Sequence, residues 1–336
     1  MLADSRELVE PALRAAVDTL PHSMRQVAGY HLGWWDERGR SLSSVNGANG
    51  GGKAVRPALT LLSAEAMGAE PAAAVPAAVA VELTHNFSLL HDDVMDGDTT
   101  RRHRATAWTV YGREAAILGG DALLTLALDG LAASGVPAAA PGIRLLSAAV
   151  QELLAGQSAD VGFERRADVS MAECLAMARR KTGALLGCAC ALGASFAGAD
   201  TAKTALLRDF GQQLGLAFQH IDDLLGIWGD PEATGKPVHS DLRSRKKSLP
   251  VVAALTSGSA AGRELAALYH ADRPLSGDEL AAAAELIGAA GGRAYSRQQA
   301  DELLTDALRR LDAAHPDPRA AAELRELARL VARRDR

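Results

Sequence analysis

Two short acidic stretches carry the residues best suited to chemistry: Asp92, Asp93 and Asp96 in HDDVMDGD, and Asp222 and Asp223 in FQHIDDLLGIWGD. On a helix Asp92 and Asp96 are i,i+4 neighbours, so their carboxylates leave one face a turn apart and repel unless a cation lies between them. Apolar residues surround both stretches: Leu89, Leu90, Val94 and Met95 at the first, Ile221, Leu224, Leu225 and Ile227 at the second. Carboxylates on largely buried helices need cations. Hard oxygen ligands on a rigid helix suit Mg2+, which keeps several waters and completes its octahedron with substrate phosphates.

Cations are interleaved with these acids. Lys53 and Arg56 open a helix whose first turn tolerates Pro57, Arg101-Arg102 follow the first cluster, and Lys181, Lys236 and Lys246-Lys247 come later. Arginine forks onto two phosphate oxygens and lysine serves as a mobile point charge. With neither a Cys/His metal spacing nor a Gly-x-Ser-x-Gly elbow, the set describes a pocket for diphosphates held through Mg2+. The stretch from Gly47 to Lys53 fits the GxxxxGK part of a P-loop, but Ala54 stands where Ser or Thr must ligate Mg2+, and no apolar strand precedes it. It reads instead as a glycine-rich flap closing over Lys53 on an anionic ligand.

The elements that must position these groups are helical. The 336 residues are 48% hydrophobic but only 4% aromatic and rich in alanine, a composition of packed helices. Apolar spacing gives two amphipathic stretches before residue 36, broken at Pro21, then a Gly/Ser/Asn-rich mobile loop near 37–52. Helices follow from near Lys53, interrupted at Gly68–Pro71, Gly97–Thr106, Gly135–Pro141, Ala197–Asp200 and Gly229–Ser248. No repeat or long linker appears, so residues 1–336 are expected to form a single domain. The net charge of −5 argues against a nucleic-acid binder. Cys174, Cys188 and Cys190 make neither an even disulfide set nor a CxxC pair, and read as buried small hydrophobes in a reducing compartment. No secretory signal opens the sequence, and the longest apolar run, Gly183 to Ala199, is short for a transmembrane segment, so a cytoplasmic location is expected.

Six segments between about Met24 and Leu255, GGKAVRP, VELTHNFSLLHDDVMDGDTTRRHRATAW, GQSAD, KTGALLGCACALGA, FGQQLGLAFQHIDDLLGIWGD and KPVHSDLRSRKKSLP, resemble in order and separation the trans-isoprenyl diphosphate synthases, the polyprenyl synthetase family. The resemblance implies an all-α isoprenoid synthase type bundle around a deep central cavity, with an aspartate-rich helix on each of two facing walls and three Mg2+ ions between them and an allylic diphosphate. It puts Asp92, Asp93, Asp96, Asp222 and Asp223 in the metal-binding motifs, with Asp92, Asp96 and Asp222 as the carboxylates on metal. Lys181, Lys236, Lys246 and Arg101 match the cations for the allylic diphosphate. Lys53, Arg56, His85 and Arg102 match those for isopentenyl diphosphate, and Thr182 and Gln219 flank the allylic chain. The implied reaction ionises the allylic diphosphate, the alkene of isopentenyl diphosphate attacks, and a proton is lost. Family members are usually homodimers, and these helices carry more apolar faces than one core uses.

Two positions depart from the family pattern. Gly226 stands where a third aspartate is usual, so Gly226→Asp is expected to lower the Mg2+ requirement, and His103 stands where glycine is common. Product length is expected to depend on side chains one to two turns before Asp92, about 6–12 Å along the helix. Phe87, five residues before Asp92, has small neighbours in Thr84 and Ser88, which resembles synthases that stop at geranylgeranyl diphosphate; farnesyl diphosphate is the nearest alternative. A longer polyprenyl product, a terpene cyclase of the same fold and a non-catalytic subunit of a heteromeric synthase are the other readings. A cyclase would have no use for Lys53, Arg56, His85 and Arg102 together, and such subunits can lose the acidic motifs that this chain keeps.

Overall fold

The computed structural model describes residues 1–42, 54–231, 238–271 and 273–332. Lys53, Lys236 and residues 43–52 of the expected loop lie outside the described residues. Helices carry nearly everything else: α1 (Leu2–Asp18), α2 (His22–His31), α3 (Val55–Ala66), α4 (Val75–Asp96), α5 (Ala107–Tyr111), α6 (Arg113–Ala133), α7 (Ala139–Phe163), α8 (Met171–Ala178), α9 (Ala184–Phe196) and α10 (Thr201–Trp228). Further helices span Ser240–Arg243, Leu249–Leu255, Ala260–Tyr269, Gly277–Ala289, Gly292–Ala313 and Pro318–Ala332. The strands are two dipeptides, β1 (Thr100–Arg101) and β2 (Arg104–Ala105), paired antiparallel. The predicted interruptions are met as far as the described residues reach, whereas the breaks at Gly112 and over 164–170 were not foreseen. Residues 37–42 are ordered by Asp36, whose Oδ1 accepts the backbone N–H of Arg38 and of Arg40, both at 2.9 Å.

The chain forms two compact units. Unit 1 comprises Met1–Val150, Leu185–Gly211 and Leu311–Leu324. At its centre α4 lies against α6. Small residues on α6 allow the close approach: a Cβ on Gly120 would fall 2.3 Å from His91 Nε2, and His91 Nε2 itself lies 2.9 Å from the Ile117 carbonyl oxygen. Because α4 buries most of its circumference, including Leu83, Phe87 and Leu90, it is a core helix that brings its polar end to the surface. Length and composition alone would let Pro71–Asp96 and Arg113–Ala133 cross a membrane, a test that a core helix of a soluble protein also passes; 67% of the first apolar window is buried, but only 33% of the second.

Unit 2 comprises Gln151–Ala184, Gln212–Arg310 and Arg325–Arg336. One of its cores gathers Phe163, Cys174, Met177, Leu216, Leu249 and Val252, and another gathers Ile227, Leu242, Val251, Leu265, Tyr269, Leu280 and Ile287. The α8 helix starts with a reciprocal cap in which Ser170 and Glu173 satisfy each other's backbone N–H groups. It then runs into a π-helical turn, Arg179–Gly183, which holds Lys181 and Thr182. Hydrophobic spacing does not foretell that turn. Glycines frame it: a Cβ on Gly156 would lie 2.4 Å from Lys181 N, and one on Gly215 would lie 2.7 Å from Gly183 Cα.

Candidate active site

The first cluster sits in the last turns of α4, which ends at Asp96 because Gly97 adopts φ +69°. Three carboxylates at the negative end of a helix dipole are unfavourable by themselves, each by about 0.3–1 kcal/mol. The fold compensates one of them. Asp93 is 1% exposed, and its Oδ1 accepts from Arg101 Nε at 2.8 Å and lies 2.7 Å from Arg101 Nη2. Asp92 is half-exposed and Asp96 exposed.

Arg101 and Arg102 reach this place on the β1–β2 hairpin. Arg102 and His103, its two central residues, take φ +51° and +61°, a turn conformation that favours glycine. The hairpin is tied down by Arg104, which donates to the carbonyls of Tyr30 (3.0 Å) and Trp35 (3.1 Å), and by Tyr30 Oη, which donates to Ala105 O at 2.8 Å. Tyr30, His31, Asp93, Arg101, Arg102 and Thr106 line a cavity of about 20 Å³, room for a single water. Sequence reading missed His31: burial first, and then Arg101 and Arg102, push it down to about 3, so it stays neutral among the guanidinium groups.

Arg56 and His85 come together as expected, with Nη1 3.1 Å from Nε2. A guanidinium only donates, so Nε2 accepts and the imidazole is neutral. Burial, with Arg56, Arg102 and Arg101 beyond it, holds His85 well below the usual histidine range. Phe87 is 3% exposed, with its ring edge-on to His91 at 4.8 Å between centroids, and Thr84 and Ser88 are also buried.

In unit 2 the second pair of aspartates divides in the same way, with Asp222 exposed and Asp223 buried. Asp223 Oδ1 accepts from Gln219 Nε2 and Oδ2 from Leu249 N, both at 2.8 Å. Gln219 Oε1 in turn accepts from Thr182 Oγ1 at 2.5 Å. Burial pushes Asp223 up to about 7 against the pull of Lys246. Lys181 Nζ meets Asp160 Oδ2 at 2.6 Å. Burial would raise the Asp160 carboxyl, but Lys181 and Lys246 more than offset it and leave it below the usual range. Burial lowers Lys246, and Asp241, Asp160, Asp223 and Asp222 reverse the effect, holding it above the usual lysine range. The GQSAD segment signalled Asp160 without giving it a role. The same segment carries Gln157, whose buried amide has no hydrogen-bond partner among the described residues.

At Gly226 the structure corrects the expectation drawn from sequence. A Cβ there would lie 2.3 Å from Asp241 Oδ2, so the place is already filled by a carboxylate. Gly226→Asp would press a second anion onto the first instead of filling a gap.

Among the described residues no group of three His, Cys, Asp or Glu side chains forms a metal site on its own. The donor chemistry still fits Mg2+. An i,i+4 pair of accessible carboxylates, Asp92 and Asp96, stands at a helix end that disfavours anions, and Mg2+ needs only one or two carboxylates when substrate phosphates and waters complete its shell. Asp222 offers the corresponding outward carboxylate in unit 2.

Residues 43–287 match the polyprenyl synthetase family. A Mycobacterium tuberculosis (2E,6E)-farnesyl diphosphate synthase is 48% identical over 98% of this chain and 92% of that protein. A geranylgeranyl diphosphate synthase from the same organism is 46% identical over 100% of this chain and 93% of its own length. Among solved structures, a polyprenyl synthetase from Streptomyces coelicolor superposes with a TM-score of 0.92 at 50% identity, covering 98% of both chains.

Proposed function

We infer, for a chain that belongs to the polyprenyl synthetase family, that it is a short-chain trans-prenyltransferase condensing isopentenyl diphosphate with allylic diphosphates, with geranylgeranyl diphosphate as its main product. The observation that carries the reading is the division of each aspartate pair. Asp93 and Asp223 are locked inward by Arg101 and by Gln219 with Leu249 N, whereas Asp92 is half-exposed within the electrostatic reach of Arg101 and Asp222 is exposed within that of Lys246. We assign the outward carboxylates Asp92, Asp96 and Asp222 to Mg2+, and Asp93 and Asp223 to positioning them.

Magnesium, when bound, stabilises charge on the departing diphosphate, the main barrier to breaking the allylic C–O bond. We assign Arg101 in unit 1, and Lys181 and Lys246 in unit 2, to binding diphosphate oxygens, each held by a carboxylate partner or by surrounding carboxylates that set its place. Arg56, Arg102 and the neutral His85 receive the second diphosphate. The alkene of isopentenyl diphosphate then forms the new carbon–carbon bond and loses a proton to the departing diphosphate, so no side chain has to act as general base. Thr182 and Gln219 line the allylic chain, with their hydroxyl and amide fixed by the Asp223 network.

Product length is the finer part of the reading. The two mycobacterial relatives are named for different products, and Phe87 between small Thr84 and Ser88 supports twenty carbons. Incubation with radiolabelled isopentenyl diphosphate and dimethylallyl, geranyl or farnesyl diphosphate tests it: labelled geranylgeranyl diphosphate is expected, labelled farnesyl diphosphate as the end product corrects the length, and unlabelled hydrocarbon or alcohol refutes the synthase. We also propose a homodimer joined through α6, where Ile117 and Leu118 stand 41% and 52% exposed. The buried free thiols, Cys188 and Cys190 pushed up to about 12 by burial, suit the cytoplasm.

A further inference from the structure

We propose that Asp241 supplies the carboxylate that position 226 lacks, completing the metal-facing edge of the second aspartate cluster from a different element. Position 226 lies four residues after Asp222 on α10, so a side chain there would emerge one turn along the same face. A Cβ at Gly226 would lie 2.3, 2.5 and 2.7 Å from Oδ2, Cγ and Oδ1 of Asp241. The Asp241 carboxylate therefore occupies the start of the missing side chain's path. It stands where a carboxylate four residues after Asp222 would begin, the sequence relation that Asp92 and Asp96 have on a single helix.

The placement is built into the fold. Asp241 belongs to the short helix Ser240–Arg243, which follows His239 at φ +60° and is anchored by the fully buried Leu242. Ser240 Oγ lies 3.3 Å from the Gly226 carbonyl oxygen, and Lys246 N donates to Asp241 O at 2.9 Å. Among the carboxylates around Lys246, Asp241 has the largest effect on the ammonium. Glycine at 226 and aspartate at 241 thus form one device, since a side chain at the first would expel the second. The metal itself comes from the assignment of Asp222 above, on which this inference rests.

The test follows protection of the full chain against thermal unfolding as Mg2+ is titrated at fixed inorganic pyrophosphate, and compares the half-saturating Mg2+ of variants. Asp241→Asn, which leaves Asp160 and Asp223 beside Lys246, should stay folded with a lower metal-free melting temperature and need at least fivefold more Mg2+. Gly226→Asp alone should lower the metal-free melting temperature. Gly226→Asp combined with Asp241→Ala should return the Mg2+ requirement to within twofold of the parent. An unchanged requirement in Asp241→Asn, while Asp222→Ala raises it, overturns the role of Asp241. A folded double variant no better than Asp241→Asn overturns the equivalence of the two positions. If Asp222→Ala leaves the titration unchanged, it is the metal assignment of the cluster that fails.

Discussion

Gly156 touches no proposed substrate group, yet Gly156→Ala should impair both stability and catalysis. Its Cβ would stand 2.4 Å from Lys181 N, whereas ordinary contacts begin at 3.4 Å, so backbone must yield by 3.4 − 2.4 = 1.0 Å. The yielding partner is the π-helical turn that carries Lys181 and Thr182. Overpacking of this kind costs about 1–3 kcal/mol, against which alanine returns only about 0.5–1 kcal/mol of helix propensity. Displacing binding groups by about 1 Å can lower a rate by roughly a hundredfold. Gly162 on the same helix is the control: nothing lies within 4 Å of its Cβ position, so Gly162→Ala should stabilise by about 0.5–1 kcal/mol and leave turnover alone. Calorimetric melting and single-turnover condensation read both quantities. Parent-like melting and rate in Gly156→Ala would refute the argument that this glycine positions the turn.

Three further outcomes follow from particular side chains. His103→Gly relieves a non-glycine residue at φ +61° and should raise stability by about 1–2 kcal/mol, seen as a higher melting temperature without a change in product. Phe87→Ala should shift products to twenty-five carbons or longer; an unchanged distribution from a folded, active variant would show that Phe87 is a core aromatic packed on His91 and does not set length. Leu118→Arg places a charge on the exposed face of α6 and should convert the dimer to the 35.0 kDa monomer in light scattering, whereas a parent chain that is already monomeric removes the proposal.

Much of this site was legible in the sequence because it depends on local rules. The i,i+4 spacing of Asp92 and Asp96, the helix stop at Gly97 and the break at Pro21 are all decided within one or two turns of chain. Residues that meet through tertiary packing were not legible. Asp160 and Lys181 are twenty-one positions apart, and Gly226 and Asp241 are separated by the end of α10 and a following segment. Apolar neighbours marked both acidic helices as buried, but they did not reveal which carboxylate of each pair turns inward, because that depends on where Arg101 and Leu249 N come to lie. The π-helical turn escaped for a related reason: the close approach that Gly156 and Gly215 permit on either side is a tertiary contact, and periodicity within Arg179–Gly183 carries no trace of it.

The proposal that Asp92 and Asp222 each serve the condensation is tested most directly by Asp222→Ala and Asp92→Ala, each first shown to melt like the parent, in condensation of radiolabelled isopentenyl diphosphate with an allylic primer at saturating Mg2+. Turnover should fall by orders of magnitude in both, as expected when electrostatic stabilisation of the leaving group is lost. Near-parent turnover in a folded Asp222→Ala variant would contradict it.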